Sequence, residues 1–358
     1  DVCLVHPPPD GVSLSSLCGT KPSYTMSAAF ARHIRVCGGA GSFVRRNSFS
    51  IAKANVAWSP IDANRAMQTS SMRRTSRGFS VAVNGAGDEA GTTPPGCVVV
   101  VTSGKGGVGK TTTAASLSYG LAQAGHRTCV IDFDIGLRNL DLHLGCERRV
   151  IFDFVNVIQE QCTLNQALIQ DKRNPKLSLL AASQTKDKEA LTQEGVTRVI
   201  QELQKTFAYV VCDSPAGIES GARHAMYLAD EAVIVTNPEV SSCRDSDKMV
   251  GFIASKSRRA ETGDAPVRQT LLVTRYDPIR AEKNDMLSLG DIQDLLGLEV
   301  LGLIPESPVV LTATNLGQPV IMSEGDDAAE AYKDAVDRFL GKKVDLRFVE
   351  PKPASLVR

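Results

Sequence analysis

No stretch of this chain approaches the roughly 18 consecutive apolar residues that a membrane-spanning helix needs, so any membrane role is expected to be peripheral. None of the nine cysteines belongs to a C-x-x-C pair. That removes a zinc ribbon and a thioredoxin-type motif and leaves free thiols in a reducing compartment as the expectation. Net charge is also missing, at +0 overall, but the balance is uneven. Residues 1–96 carry ten Lys or Arg against five acids, leaving thirty against thirty-five in the remainder, a body at −5. Such a body has no overall basic field, and no nucleic-acid partner is expected. With 42 % hydrophobic and 22 % charged residues over 358 positions, the composition is neither collagen-like nor disordered. The length allows one large domain or two ordinary ones.

The first 96 residues hold thirteen serines and acids only at Asp1, Asp10, Asp62, Asp88 and Glu89. Without sustained apolar periodicity, this composition predicts a disordered organelle transit peptide. The chain begins at Asp1, and Met26 is a candidate start. Residues 1–25 have an alternative reading as untranslated sequence. From Met26 to Ser80 the leader is basic and hydroxylated and lacks the apolar core of a secretory signal.

Order is expected from Cys97. The β-branched run Val98–Val101 suits a buried parallel strand, and a helical pattern follows from Thr111 to about Ala124. Strands at 127–134, 177–181, 208–213, 231–236, 270–274 and 299–304 then alternate with helices at 192–205, 220–229, 242–257 and 288–296. This alternation predicts an α/β fold with one doubly wound, mainly parallel sheet. The expected organisation is leader 1–96, catalytic domain 97–341 and tail 342–358.

Between the first strand and the first helix lies Ser103-Gly-Lys-Gly-Gly-Val-Gly-Lys-Thr-Thr112, which satisfies G-x-x-x-x-G-K-[ST] from Gly104. In such a phosphate loop Gly104, Gly106, Gly107 and Gly109, with Val108 between them, let backbone N–H groups curl around phosphate. Lys110 reaches the outer phosphates, the Thr111 hydroxyl ligates Mg²⁺, and Thr112 continues the helix N-terminus. Lys105 is an additional cation at the loop entrance. It suits a neighbouring subunit's phosphates, as an arginine finger acts in trans, and its alternative is a solvated loop lysine. Asp132 and Asp134 end the second strand and Asp213 ends the strand at 208–213. Ligands bind beyond the carboxyl ends of such strands, which makes Asp213 a Walker-B-like metal acid and Asp134 a candidate to orient water. The alternative for either acid is a helix cap or turn residue.

These segments, with Ile131–Asp141, Cys212–Glu219, Thr236–Ser242 and Leu303–Glu306, closely resemble the deviant Walker A, MinD/ParA-type P-loop ATPases over about residues 98–349, and within them the septum-site-determining members. The resemblance implies an ATPase using ATP and Mg²⁺ that dimerises with ATP, associates peripherally with membrane and controls septum placement. It implies that Lys105 crosses to the partner's ATP while Lys110 and Thr111 act within the subunit. Asp134 would position water, Asp132 and Asp213 would organise the metal shell, and Asn139 would lie near the phosphates at the interface. Asn237, Arg275 and Pro305 would frame the adenine.

Two relatives from other functional classes are the alternatives. An iron–sulfur carrier would need clustered cysteines, and Cys146, Cys162, Cys212 and Cys243 are dispersed. A ParA-like partitioning ATPase on DNA would present basic surface, against a body at −5. The helix opening at Ser241 matches the family segment that docks a MinE-like activator and a MinC-like division inhibitor. Asp245, Lys248, Met249 and Phe252 recur there at helical spacing and are expected to share one face. The alternative is a solvated helix surface. Family members end in a basic amphipathic helix that inserts into an anionic bilayer interface. Here Pro351 and Pro353 break any helix, and only Leu356–Arg358 resembles its start, so the segment is expected to be truncated or weak. Arg77–Ser80 resembles a matrix-processing site, and Gly145–Val150 and Asp153–Ile158 look proteobacterial. Both favour the mitochondrion, with the chloroplast stroma as the alternative.

Overall fold

The computed structural model describes residues 95–351. The leader, Met26, the Arg77–Ser80 signal and the tail from residue 352 lie outside the described residues. Eight strands form one sheet: β1 Cys97–Thr102, β2 Thr128–Asp132, β3 Ile169–Gln170, β4 Leu177–Leu180, β5 Tyr209–Asp213, β6 Glu231–Thr236, β7 Arg268–Tyr276 and β8 Glu299–Pro305. Their order is β3-β4-β2-β5-β1-β6-β7-β8. Every pairing is parallel except β3 with β4, a short antiparallel edge.

The valine run shows why the sheet is covered on both faces. Val99 and Val101 join a core with helix α1, Lys110–Gln123, and helix Asp327–Phe339. Val98 and Val100 join the opposite core with helices Gln193–Gln204, Ser220–Tyr227 and Val240–Lys256. All four are fully buried, as the period of two demands of a strand between two helical layers. The chain leaves β1 towards β2 on one side and reaches β6 on the other. The carboxyl ends of β1, β2 and β5 therefore flank a topological switch point, where open α/β sheets place their ligands.

The expected strands and helices are present with ends shifted by a few residues. Additional elements are β3, short helices such as Leu140–His143 and Phe154–Ile158, helix Pro308–Asn315 and the long helix Asp327–Phe339. The last buries Ala328, Ala329, Ala331, Tyr332, Ala335, Val336 and Phe339, and the Asp326 side chain caps it by accepting from the Ala328 N–H at 2.9 Å. Ordered packing also continues past 341. Arg347 pairs with Asp334 through its Nε and Nη2, and Phe348 packs on the α1 core. The folded body thus reaches beyond the expected boundary because an ion pair and an aromatic ring return to it. Among the described residues no helix is long and apolar enough to cross a membrane.

A nucleotide-binding candidate site at the switch point

The loop after β1 is shaped by its glycines. Gly107 and Gly109 have φ of 75° and 94°, the left-handed region that side chains disfavour. Gly104 is required for a different reason: a Cβ there would lie 2.2 Å from the Asp245 backbone. No side chain caps the N-terminus of α1, so its first N–H groups and partial positive charge remain available to an anion. Lys110, at the start of α1, is 9 % exposed. Burial lowers its pKa, while Asp213 and Asp134 favour its charge.

Asp132 and Asp213 are register partners on adjacent strands, and both are buried. Burial raises the pKa of each, and in Asp213 the Asp132 charge adds to it; the Thr111 hydroxyl and Lys110 work against the rise. The two carboxylates are placed differently. Asp132 accepts from the Asp134 N–H at 2.8 Å and from the Leu140 N–H at 3.2 Å. It therefore organises the loop that carries Asp134 and Asn139. Among the described residues Asp213 Oδ1 is buried without a hydrogen-bond partner, an arrangement whose cost a cation would relieve. With the Thr111 hydroxyl bonded to the same carboxylate, the donor set is oxygen only and fits Mg²⁺. Bound there, Mg²⁺ would supply charge neutralisation of transferring phosphate.

The remaining expected residues occupy the rim. Asn237, after β6, and Thr274, in β7, are tied together: the Thr274 hydroxyl lies 2.8 Å from Asn237 Oδ1 and 2.7 Å from the Val108 carbonyl oxygen. Arg275 adopts φ 55° and donates to the Gly107 carbonyl at 3.2 Å. Pro305 ends β8 opposite Tyr276. Arg275 thus reaches the phosphate loop itself, Asn237 is linked to it only through Thr274, and Pro305 lies a strand further out. Asn139 is exposed beside the loop of Asp134.

Lys105 turns away from its own cradle. Its Nζ donates to Glu239 Oε2 at 2.9 Å and lies 3.4 Å from Ser241 Oγ, at the start of helix Val240–Lys256. Glu239, Ser241 and Thr274 were not singled out by sequence spacing; only the fold brings them to the loop. The shared face expected for the helix needs correction. Met249 is 1 % exposed and belongs to the core, whereas Asp245 and Lys248 pair outward at 3.0 Å. Phe252 is half-buried with Arg223 stacked on it at 5.7 Å. Any outward face therefore consists of Asp245 and Lys248 without Met249, because a helix crossing the sheet must give its apolar side to the core.

The arrangement can hold a triphosphate, keep a lysine and a hydroxyl at its outer end, and align water from the side of Asp134. That is positioning and electrostatics rather than covalent chemistry. A family model described as an AAA domain matches residues 96–262. The septum site-determining protein MinD of Escherichia coli K12 is 57 % identical over 262 residues, covering 73 % of this chain and 97 % of the relative. Among solved structures, the MinC:MinD cell division protein complex of Aquifex aeolicus shares 37 % identity at a TM-score of 0.63, over 70 % of this chain and 98 % of that one. MinD of Pyrococcus horikoshii, complexed with Mg-ADP, shares 27 % at a TM-score of 0.59, over 68 % and 95 %. A ParA-family ATPase of Chlorobium tepidum, at 19 % identity and a TM-score of 0.56, shares the fold. With the phosphate loop, the buried acids and this likeness agreeing, the chain belongs to the MinD family of septum site-determining P-loop ATPases, which hydrolyse ATP with Mg²⁺ in the control of septum placement.

Proposed function

We propose that this chain is an ATP-dependent dimerising switch that places the division site of an organelle. The observation that carries the reading is the position of Lys105. Its ammonium lies at the rim on Glu239, outside the cradle that Lys110 occupies, and its side chain is 42 % exposed. A second copy can take it in trans, so that each site is completed by its partner and hydrolysis ends the dimer. Lys110, Thr111 and Asp213 hold nucleotide and metal, Asp134 aligns water, and Asn139 joins at the interface.

The outward Asp245–Lys248 face is where a MinE-like activator and a MinC-like inhibitor dock, a reading supported by the solved complex of an Aquifex relative with MinC. An anionic membrane is the surface on which the dimer gathers. The basic, serine-rich leader supports import, with the mitochondrion favoured over the chloroplast.

The test is sedimentation and ATPase assay of the full chain with ATP, with and without Mg²⁺ and anionic vesicles. ATP is expected to convert monomer to dimer, with slow turnover that rises on vesicles with an activator. A monomer that hydrolyses ATP at one rate under every condition would overturn the switch. Residues 1–96 fused to a fluorescent protein test the compartment, and a cytosolic fusion would overturn import.

A further inference from the structure

His143 ends the short helix Leu140–His143, which packs against α1 and helix Pro308–Asn315. Both ring nitrogens are engaged. Nδ1 lies 3.0 Å from the Asn139 carbonyl oxygen, which can only accept, so Nδ1 carries the hydrogen. Nε2 lies 3.4 Å from the Thr112 hydroxyl. In the neutral ring that nitrogen can only accept, so Thr112 is the donor of this long bond.

Burial disfavours the charged ring, while the Asn139 carbonyl and Asp141 favour it. Asp141 is itself paired with Arg138 at 2.7 Å. Helix Pro308–Asn315 has no ionisable side chain, and α1 brings Lys110 and Tyr119.

Thr112 stands in the first turn of α1, next to the residues assigned to phosphate and metal. A phosphate oxygen can only accept. Once it draws the Thr112 hydroxyl hydrogen, the contact with His143 survives only if Nε2 becomes a donor. We propose that His143 is a positioning residue that takes up one solvent proton when phosphate arrives at Thr112, and so ties the phosphate cradle to the Asp134–Asn139 loop; this rests on the nucleotide reading of the site. The balance is simple: Nε2 gains a hydrogen, the medium loses a proton, and Thr112 keeps its O–H. The imidazolium then donates from both nitrogens, to Asn139 and to Thr112, and charge-assisted bonds hold both more strongly.

The test is calorimetric titration of Mg-ADP into the full chain at pH 7, in buffers of low and high ionisation enthalpy, for the wild type, His143→Asn and His143→Leu. Subtracting variant from wild type cancels the nucleotide's own protonation. The wild type is expected to take up about 0.3–1 proton per nucleotide more than either variant. The amide introduced by His143→Asn can still donate to the Asn139 carbonyl, so this variant should keep affinity within about threefold, while His143→Leu loses about tenfold, one hydrogen bond's worth. Nitrogen NMR of the nucleotide-free chain should show the Nδ1–H tautomer at the resonance that both variants lack. Equal proton uptake in the three proteins, or an Nε2–H tautomer, overturns the role of His143. A folded chain with the Nδ1–H tautomer that binds no Mg-ADP overturns the nucleotide reading instead, and the proton step with it.

Discussion

Lys105 Nζ rests 2.9 Å from Glu239 Oε2, across 134 positions of sequence. The hydrogen bond and charge of Lys105 hold the Glu239 carboxyl below its ordinary pKa, yet the two side chains are 42 % and 53 % exposed. Exposed pairs of this kind contribute at most about 1 kcal/mol. Magnitude therefore makes Glu239 a resting place rather than a lock.

Glu239→Gln should accordingly shift the midpoint of ATP-dependent dimerisation by no more than about fivefold, whereas Lys105→Ala abolishes the dimer and leaves nucleotide affinity within a few-fold. Lys110→Ala, by removing a buried cation among carboxylates, weakens nucleotide binding itself by about 30-fold or more. Sedimentation velocity paired with nucleotide titration separates the three. Equal loss of affinity in both lysine variants would show that Lys105 serves its own cradle.

Asp134→Ala should leave binding intact and lower turnover by about 100-fold or more, the usual scale for a lost proton-handling or water-aligning group. The ATP dimer then persists instead of cycling. Single-turnover kinetics with labelled ATP is the measurement, and wild-type turnover would pass the role to Asp132.

Asp213→Asn should make the nucleotide-free protein more stable. The Asp132 and Asp134 charges both act against the Asp213 carboxylate, Lys110 only partly offsets them, and Oδ1 of Asp213 is buried without a partner among the described residues. Neutralising it relieves desolvation and repulsion, a gain of about 1 kcal/mol or about 2–4 °C in melting temperature. The same change should remove the effect of Mg²⁺ on nucleotide affinity. Scanning calorimetry in EDTA checks the first part, and an unchanged or lower melting temperature contradicts it.

Asp171 offers the opposite sign. Burial pushes its carboxyl up, but hydrogen bonds and charge from Arg173 outweigh this and hold it below the ordinary value. Arg173 in turn donates to the carbonyls of Gly317 at 2.8 Å and Leu144 at 2.7 Å. A depressed carboxyl stabilises the fold above its unfolded pKa near 4 and loses that contribution as pH falls through the folded value. Asp171→Asn should therefore cost about 3 kcal/mol at pH 7, with the deficit shrinking below pH 4. Urea unfolding at both pH values reads it, and a deficit independent of pH would mean packing rather than charge.

The sheet and the phosphate loop were legible because their signals are local. Val98–Val101 declares a buried strand, and the spacing from Gly104 to Thr111 leaves few foldable alternatives. The helix Asp327–Phe339 was hidden because its buried face is largely alanine, which gives little contrast with a polar surface. β3 and the short helices have too few residues to carry a period. The direction of Met249 could not be read from spacing, since period 3.6 names residues that share a face without saying which face meets the sheet. Nor could the partners of Lys105 and Thr112, which lie far away in sequence and meet only after the sheet orders the loops.

Gly104 has no side chain, and that empty volume is filled by the backbone of Asp245. The phosphate loop and the helix that carries the outward Asp245–Lys248 pair are thus packed backbone against backbone. Any side chain at 104 would have to displace that helix or the loop, so the shape of the cradle and the seat of the outward pair are set by one and the same contact.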